Sequence, residues 1–138
     1  MTTDRRGLIA TACLGAFALH NLEEGLAYAR MHDAVGARIA AAGLVWWRPT
    51  PAQFDLALLG LTLAVGLALG WAARGSVSRT RLAVLRALPL VMLANVVVPH
   101  VPAAILLGGY APGLLTALAV NIPVSLWALN ALRTQKIP

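Results

Sequence analysis

The residues best suited to chemistry lie inside apolar stretches of the chain. His20, Glu23 and Glu24 lie in the first stretch, and His100 lies in a later one. Ionisable groups within a membrane span are costly to bury and commonly mark proton paths or reactive sites. Helix packing alone does not explain why two adjacent carboxylates beside a histidine would be buried there. We therefore predict that these four residues are catalytic.

Helical spacing places three of these side chains together. On a helix, Glu23 lies about 60° to one side of His20 and Glu24 about 40° to the other, so all three share one face. Side chains three or four positions apart can converge on one ion or share a proton. Asn21 points away from this face and is predicted to be less central.

Two kinds of chemistry fit this set. In one, His20, Glu23 and His100 bind a divalent metal, because imidazole and carboxylate suit Zn, Mn or Fe, and an open position activates water. In the other, no metal takes part. Adjacent glutamates in a low dielectric cannot both ionise easily, so the pair acts with His20 as acid and base. Acid–base chemistry is preferred, since a metal site needs geometry that spacing alone does not guarantee.

Three further polar residues are predicted to bind substrate. Asn95 and Asn121 lie in later apolar stretches, and Asp55 lies at the start of another. The alternative for the two asparagines is that they hydrogen-bond neighbouring helices.

Prolines accompany these polar residues. Pro99 and Pro102 flank His100, and Pro123 follows Asn121 by two positions. A proline within a helix removes one backbone hydrogen bond and kinks the helix. We expect the kinks at the level of the polar residues.

The composition is that of a membrane protein. Hydrophobic residues make up 59% of the 138 positions and charged residues 12%, about half of the ~25% usual in soluble domains. So few charges cannot cover a small soluble domain, and the apolar content excludes disorder. The net charge of +6 does not indicate nucleic-acid binding, because the basic residues are not interleaved with aromatics. A single cysteine excludes an intrachain disulfide.

Four segments are apolar enough to cross a bilayer, which takes roughly 20 residues. They cover about 7–29, 54–73, 84–107 and 113–132, and a turn rich in glycine and proline at 108–113 separates the last two. The predicted fold is all-α, a four-helix integral membrane bundle formed by one domain over 1–138. Segment 34–45 is predicted to form a short outer interfacial helix that ends at Trp46 and Trp47.

Basic residues set the predicted orientation. Eight lie on the side of the two termini and of the 74–86 region, and three lie on the other side. Because Lys and Arg favour the cytoplasm, both termini are predicted to be cytoplasmic in a multi-pass protein of the cell membrane. The N-terminal segment also resembles a signal peptide, but Glu23 and Glu24 suit a cleavage region poorly, so we expect it to be retained.

Gly66 and Gly70 form a small-residue notch on the second segment. Such notches let helices approach closely. The notch is predicted to pack a neighbouring helix, or a second copy of the chain in a homo-oligomer.

Residues 20–24 read H-N-L-E-E, which resembles the signature of the HXXEE family of small integral membrane proteins. The later Asn95 and His100 are also similar, as is the Tyr-x-Pro-Gly turn at 110–113 before a final span with Thr116 and Asn121. The resemblance covers nearly the whole chain. It implies the same polar pocket and no particular reaction.

The predicted function is that of a membrane enzyme acting on a lipophilic small molecule by isomerisation, cyclisation or hydrolysis. Two alternatives stay open. The polar cluster could lock the helices of a structural, partner-stabilising subunit, or it could form the proton relay of a proton- or cation-coupled transporter. Four spans without a visible inverted repeat leave little room for alternating access.

Overall fold

A computed structural model describes residues 3–43 and 48–133. These residues form four helical segments, and none of them forms a strand. The segments are α1 (Thr3–Ala41), α2 (Pro51–Ala73), α3 (Arg79–Leu107) and α4 (Leu114–Arg133). Helices α2, α3 and α4 are long and apolar enough to cross a membrane. Helix α1, which carries the two glutamates, does not meet that standard, so its crossing stays a prediction.

Helix α1 is longer than predicted. It continues without a break through 39 residues, so the expected separate interfacial helix is, up to Ala41, the last part of α1. The sequence between 30 and 41 contains no proline, and its alanines favour helix. The helix ends where Gly43 adopts the left-handed conformation, with φ of 70°. Trp46 and Trp47 lie outside the described residues.

Local signals account for the ends of the other helices. Thr50 and Gln53 form a capping box at the start of α2, with Pro51 in its first turn. The Ser78 hydroxyl caps α3 by accepting a hydrogen bond from the Arg81 amide. These caps start α2 and α3 a few residues before their predicted apolar cores. Left-handed Gly108 then ends α3, within the turn predicted at 108–113.

Both α3 and α4 are irregular near their polar residues. Helix α3 is kinked within Val96–His100, where Val98 has an extended backbone with φ of −139° and ψ of 114°. A π-helical turn covers Ala117–Asn121 in α4, two residues before Pro123. The kinks therefore lie at the polar residues, as expected.

Apolar side chains from all four helices form one core. It includes Ile9, Cys13, Leu69, Leu82, Leu85, Met92, Ala128 and Leu132. Outside this core, large side chains such as Leu67 and Ile105 are more than three-quarters exposed. An apolar exterior around a packed interior is what a bilayer accommodates. Gly66 faces Leu14 of α1 in the same chain, and a homo-oligomer through Gly66 and Gly70 stays a prediction.

Candidate functional site

Two buried histidines meet between α1 and α3. His20 and His100 are each 1% exposed. Their ring centroids are 4.8 Å apart at an interplanar angle of 87°, and their Nε2 atoms are 3.1 Å apart. The structure thus brings together two histidines that lie in different apolar stretches of the sequence.

Asn95 joins this pair because α3 is irregular. Its Nδ2 lies 2.9 Å from His100 Nε2 and 3.1 Å from His20 Nε2. On a regular α-helix, residues five apart point in different directions, about 140° apart. The kink at Val98 changes this phase and puts Asn95 and His100 on one side.

The glutamate nearest the histidines is Glu24. Its Oε2 lies 3.7 Å from His20 Nε2. Donor atoms of His20, Glu24 and His100 all lie within 4.8 Å of one another, a spacing compatible with one metal ion. The predicted metal group of His20, Glu23 and His100 is therefore not the one that the structure assembles.

Glu23 lies on the other flank and binds the start of α4. Its Oε2 accepts hydrogen bonds from the Thr116 amide at 2.7 Å and from the Thr116 hydroxyl. Its Oε1 accepts from the Leu115 amide at 3.3 Å and from the Tyr110 hydroxyl. Partial burial, together with this last bond, raises the pKa of Tyr110 to about 12, so the phenol stays a donor. Glu23 thus caps the exposed N–H groups of a helix N-terminus.

The second ring nitrogen of each histidine contacts the turn before α4 or its first residues. His20 Nδ1 lies 3.0 Å from the Thr116 hydroxyl oxygen, and the His20 ring also contacts the Gly113 carbonyl. The Thr116 hydroxyl hydrogen goes to Glu23, so its oxygen accepts from His20 Nδ1–H. The His100 ring contacts the Pro112 carbonyl. His20 therefore donates through Nδ1 and presents its Nε2 lone pair to His100.

Comparison with known proteins identifies the family. The profile of the family described as "Protein of unknown function with HXXEE motif" matches residues 11–128. The chain belongs to the HXXEE family. No curated protein and no solved structure matches it.

The HXXEE motif therefore has divided roles in this chain. Its histidine, His20, meets His100, and its second glutamate, Glu24, joins them. Its first glutamate, Glu23, holds the N-terminus of α4 instead. The sequence placed both carboxylates on the face of His20 but could not tell which of them would meet α4.

A groove extends from this cluster between the helices. Its volume is about 340 Å³, and its polar lining consists of His20, Asn21, Glu24, Asn95 and Asn121. Stripes of apolar side chains on α2 and α3 line the rest, from Leu58 to Leu69 and from Val84 to Met92. From Val84 to Asn95 the groove runs roughly 16 Å along α3, at ~1.5 Å per residue.

Asn121 is the least satisfied polar group of this groove. It is fully buried, and neither its amide oxygen nor its amide nitrogen has a hydrogen-bond partner among the described residues. The Ser125 hydroxyl, one turn further along α4, is in the same condition. A buried, unpaired amide costs free energy unless a ligand or water satisfies it.

Two other polar residues differ from their predicted places. Asp55 lies outside the groove, is exposed, and packs its carboxylate against Gly25 of α1. Asn21, which the sequence assigned to another face, lines the groove and donates to the Thr62 hydroxyl at 2.8 Å.

Residue type and spacing predict no site role for Gly113 or for Tyr110. A side-chain Cβ on Gly113 would lie 2.6 Å from His100 Cε1 and 2.8 Å from His20 Cε1. Only a glycine fits this place, and its φ of 79° also favours glycine. The Tyr-x-Pro-Gly turn was the signal available for both residues.

Proposed function

We propose that this HXXEE protein is a membrane enzyme that acts on the polar head of a lipophilic substrate. His20, Glu24 and His100 are its reacting groups. Helices α1 to α4 cross the cell membrane with both termini in the cytoplasm, as the basic residues indicate. In that orientation the cluster lies in the outer half of the bilayer.

One observation carries this proposal: the cluster lies at the polar end of a groove whose remaining walls are apolar. Ligand sites typically combine apolar walls with a few convergent polar groups that orient the ligand. Buried ionisable residues that only hold helices together need no groove beside them. The groove therefore favours an enzyme over a structural subunit.

The substrate's orientation follows from the distribution of polar groups. A hydrocarbon chain fits along the apolar stripes of α2 and α3, entering sideways from the bilayer. Its head then reaches Asn121, whose free N–H and carbonyl suit a hydroxyl, carbonyl or amide. This pairing satisfies the amide that is otherwise left unpaired.

Glu24 and His20 face that head, and His100 contacts His20. Glu24 borders the groove, while Glu23 has four donors of its own. A carboxyl group beside two imidazoles moves protons efficiently. We assign the reaction to the class in which a proton is moved or water is activated at the head of the substrate, that is, isomerisation, cyclisation or hydrolysis.

The test is conversion of a lipid by purified protein. Wild-type protein in proteoliposomes is incubated with a lipid extract of the host membrane, and masses that appear or disappear with time are recorded. Glu24→Gln should abolish these changes, because acid–base groups are commonly worth about 10² to 10⁴ in rate. Asp55→Asn is the matched control, since it removes a carboxylate outside the groove. Equal conversion by wild type and Glu24→Gln would overturn the proposal.

A further inference from the structure

We propose that His20, His100 and Glu24 bind a divalent first-row transition metal ion, with Zn²⁺ the best fit. This inference concerns metal binding alone and can be measured without any substrate. Two imidazoles with one carboxylate form a donor set that occurs in catalytic zinc sites, where a further position stays open.

The first support is the direction of the His20 lone pair. Thr116 holds His20 as the Nδ1–H tautomer, so the Nε2 lone pair of His20 faces His100 Nε2 at 3.1 Å. In the Nδ1–H tautomer, His100 offers a second lone pair to the same point. A cation shared by both nitrogens satisfies them together.

The second support is the size of the gap. Zn–N and Zn–O bonds of ~2.0–2.2 Å in a tetrahedral site place neighbouring donor atoms about 3.3–3.5 Å apart. The observed separations are 3.1 Å between the two Nε2 atoms and 3.7 Å from His20 Nε2 to Glu24 Oε2. They lie on either side of that value, and all three donor atoms lie within 4.8 Å of one another. The Glu24 carboxylate therefore has to move toward His100 to complete the geometry.

The Asn95 side chain can serve both the metal-free and the metal-bound site. Its Nδ2 now lies near both Nε2 atoms, where its two N–H groups serve as the positive partner. Rotation of the amide by 180° exchanges Nδ2 and Oδ1. The same side chain then offers an oxygen to the ion.

The surroundings resemble those that zinc histidines use. Metal-bound histidines almost always donate their other N–H to a carboxylate, carbonyl or water, which fixes the ring and raises its basicity. Here Thr116 passes the hydrogen bond of His20 on to the Glu23 carboxylate. Glu23 is thus a positioning residue for this site. A metal held there supplies a Lewis acid at the head of the groove.

Metal content is the direct test. Protein purified in detergent is stripped with a chelator, equilibrated with Zn²⁺, freed of excess ion and measured by elemental analysis. We expect about one zinc per chain, and background levels in His20→Ala and in His100→Ala. His32→Ala is the control, because His32 lies outside the groove on the exposed end of α1. Equal loss in the control, or zinc well below one per chain in wild type, would overturn the inference.

Two further measurements test the inference even if a histidine variant does not fold. X-ray absorption at the zinc edge of the wild-type protein should show two imidazole ligands and one or more oxygens, and sulfur ligands would contradict the assignment. Thr116→Val should weaken zinc binding about 10- to 100-fold, with Thr62→Val as the unaffected control. Zinc binding without lipid conversion would leave this inference standing and defeat the proposed enzyme, whereas lipid conversion by a protein that binds no zinc would do the reverse.

Discussion

At the scale of single residues, the two adjacent glutamates have separate tasks. Glu23 accepts four hydrogen bonds from the turn and first residues of α4. Glu24 lies near His20 and borders the groove. Because Glu23 lies three positions from His20, helical spacing slightly favours Glu23 over Glu24 as the more sensitive residue in catalysis. The contacts reverse that order, because a carboxylate already bound by four donors is a poor base.

We expect Glu23→Gln to lower thermal stability more than Glu24→Gln does. A glutamine at position 23 would turn an N–H group toward donors, and hydrogen bonds to charged groups are worth about 1.5–3 kcal/mol each. Thermal unfolding of the two variants in the same detergent measures the difference. A more stable Glu23→Gln than Glu24→Gln would contradict the capping role.

Gly113 gives a second residue-scale prediction. A methyl group there would lie within 3 Å of both histidine rings, and overpacking of this kind typically costs about 1–3 kcal/mol. Gly113→Ala should therefore lose stability and separate the histidine pair. Gly109→Ala is the control, since nothing lies within 4 Å of its added methyl. If both variants unfold at the same temperature, Gly113 does not pack against the rings as described.

At the scale of elements, the groove between α2 and α3 should set which substrates bind. Ala68→Trp would fill the apolar part of the groove, because Ala68 lines it. Ala64 lies one turn away on α2 and does not line the groove, so Ala64→Trp should be harmless. Conversion of substrates with short and long chains measures the effect. Loss with Ala64→Trp, or none with Ala68→Trp, would place the substrate elsewhere.

The elements also show what sequence could and could not predict. Apolar runs and the glycine-rich turn predicted α2, α3 and α4, which are long and apolar enough to cross a membrane, and the prolines predicted the kinks. The register of α3 did not follow, because a proline predicts a kink but not which side chains meet beyond it. The kink at Val98 decides the meeting of Asn95 with His100. The sequence did not predict the full length of α1, because the absence of a helix-breaking proline is only weak evidence for a continuous helix.

At the scale of the whole molecule, the distribution of basic residues predicts the orientation. Reporter fusions after Ser76 and at Pro138 should read cytoplasmic, and a fusion near Pro49 should read external, because Lys and Arg concentrate on the side of the termini. A cytoplasmic reading near Pro49 would invert the orientation and move the cluster to the inner half of the bilayer.

The most direct measurement is an experimental structure of the protein in lipid nanodiscs, prepared with host lipid extract. We expect elongated density in the groove between α2 and α3, with its polar end at Asn121 beside His20, His100 and Glu24. Two results would contradict the account. One is density for an apolar chain that fills the groove while its head lies away from Asn121, and the other is a His100 side chain that faces lipid.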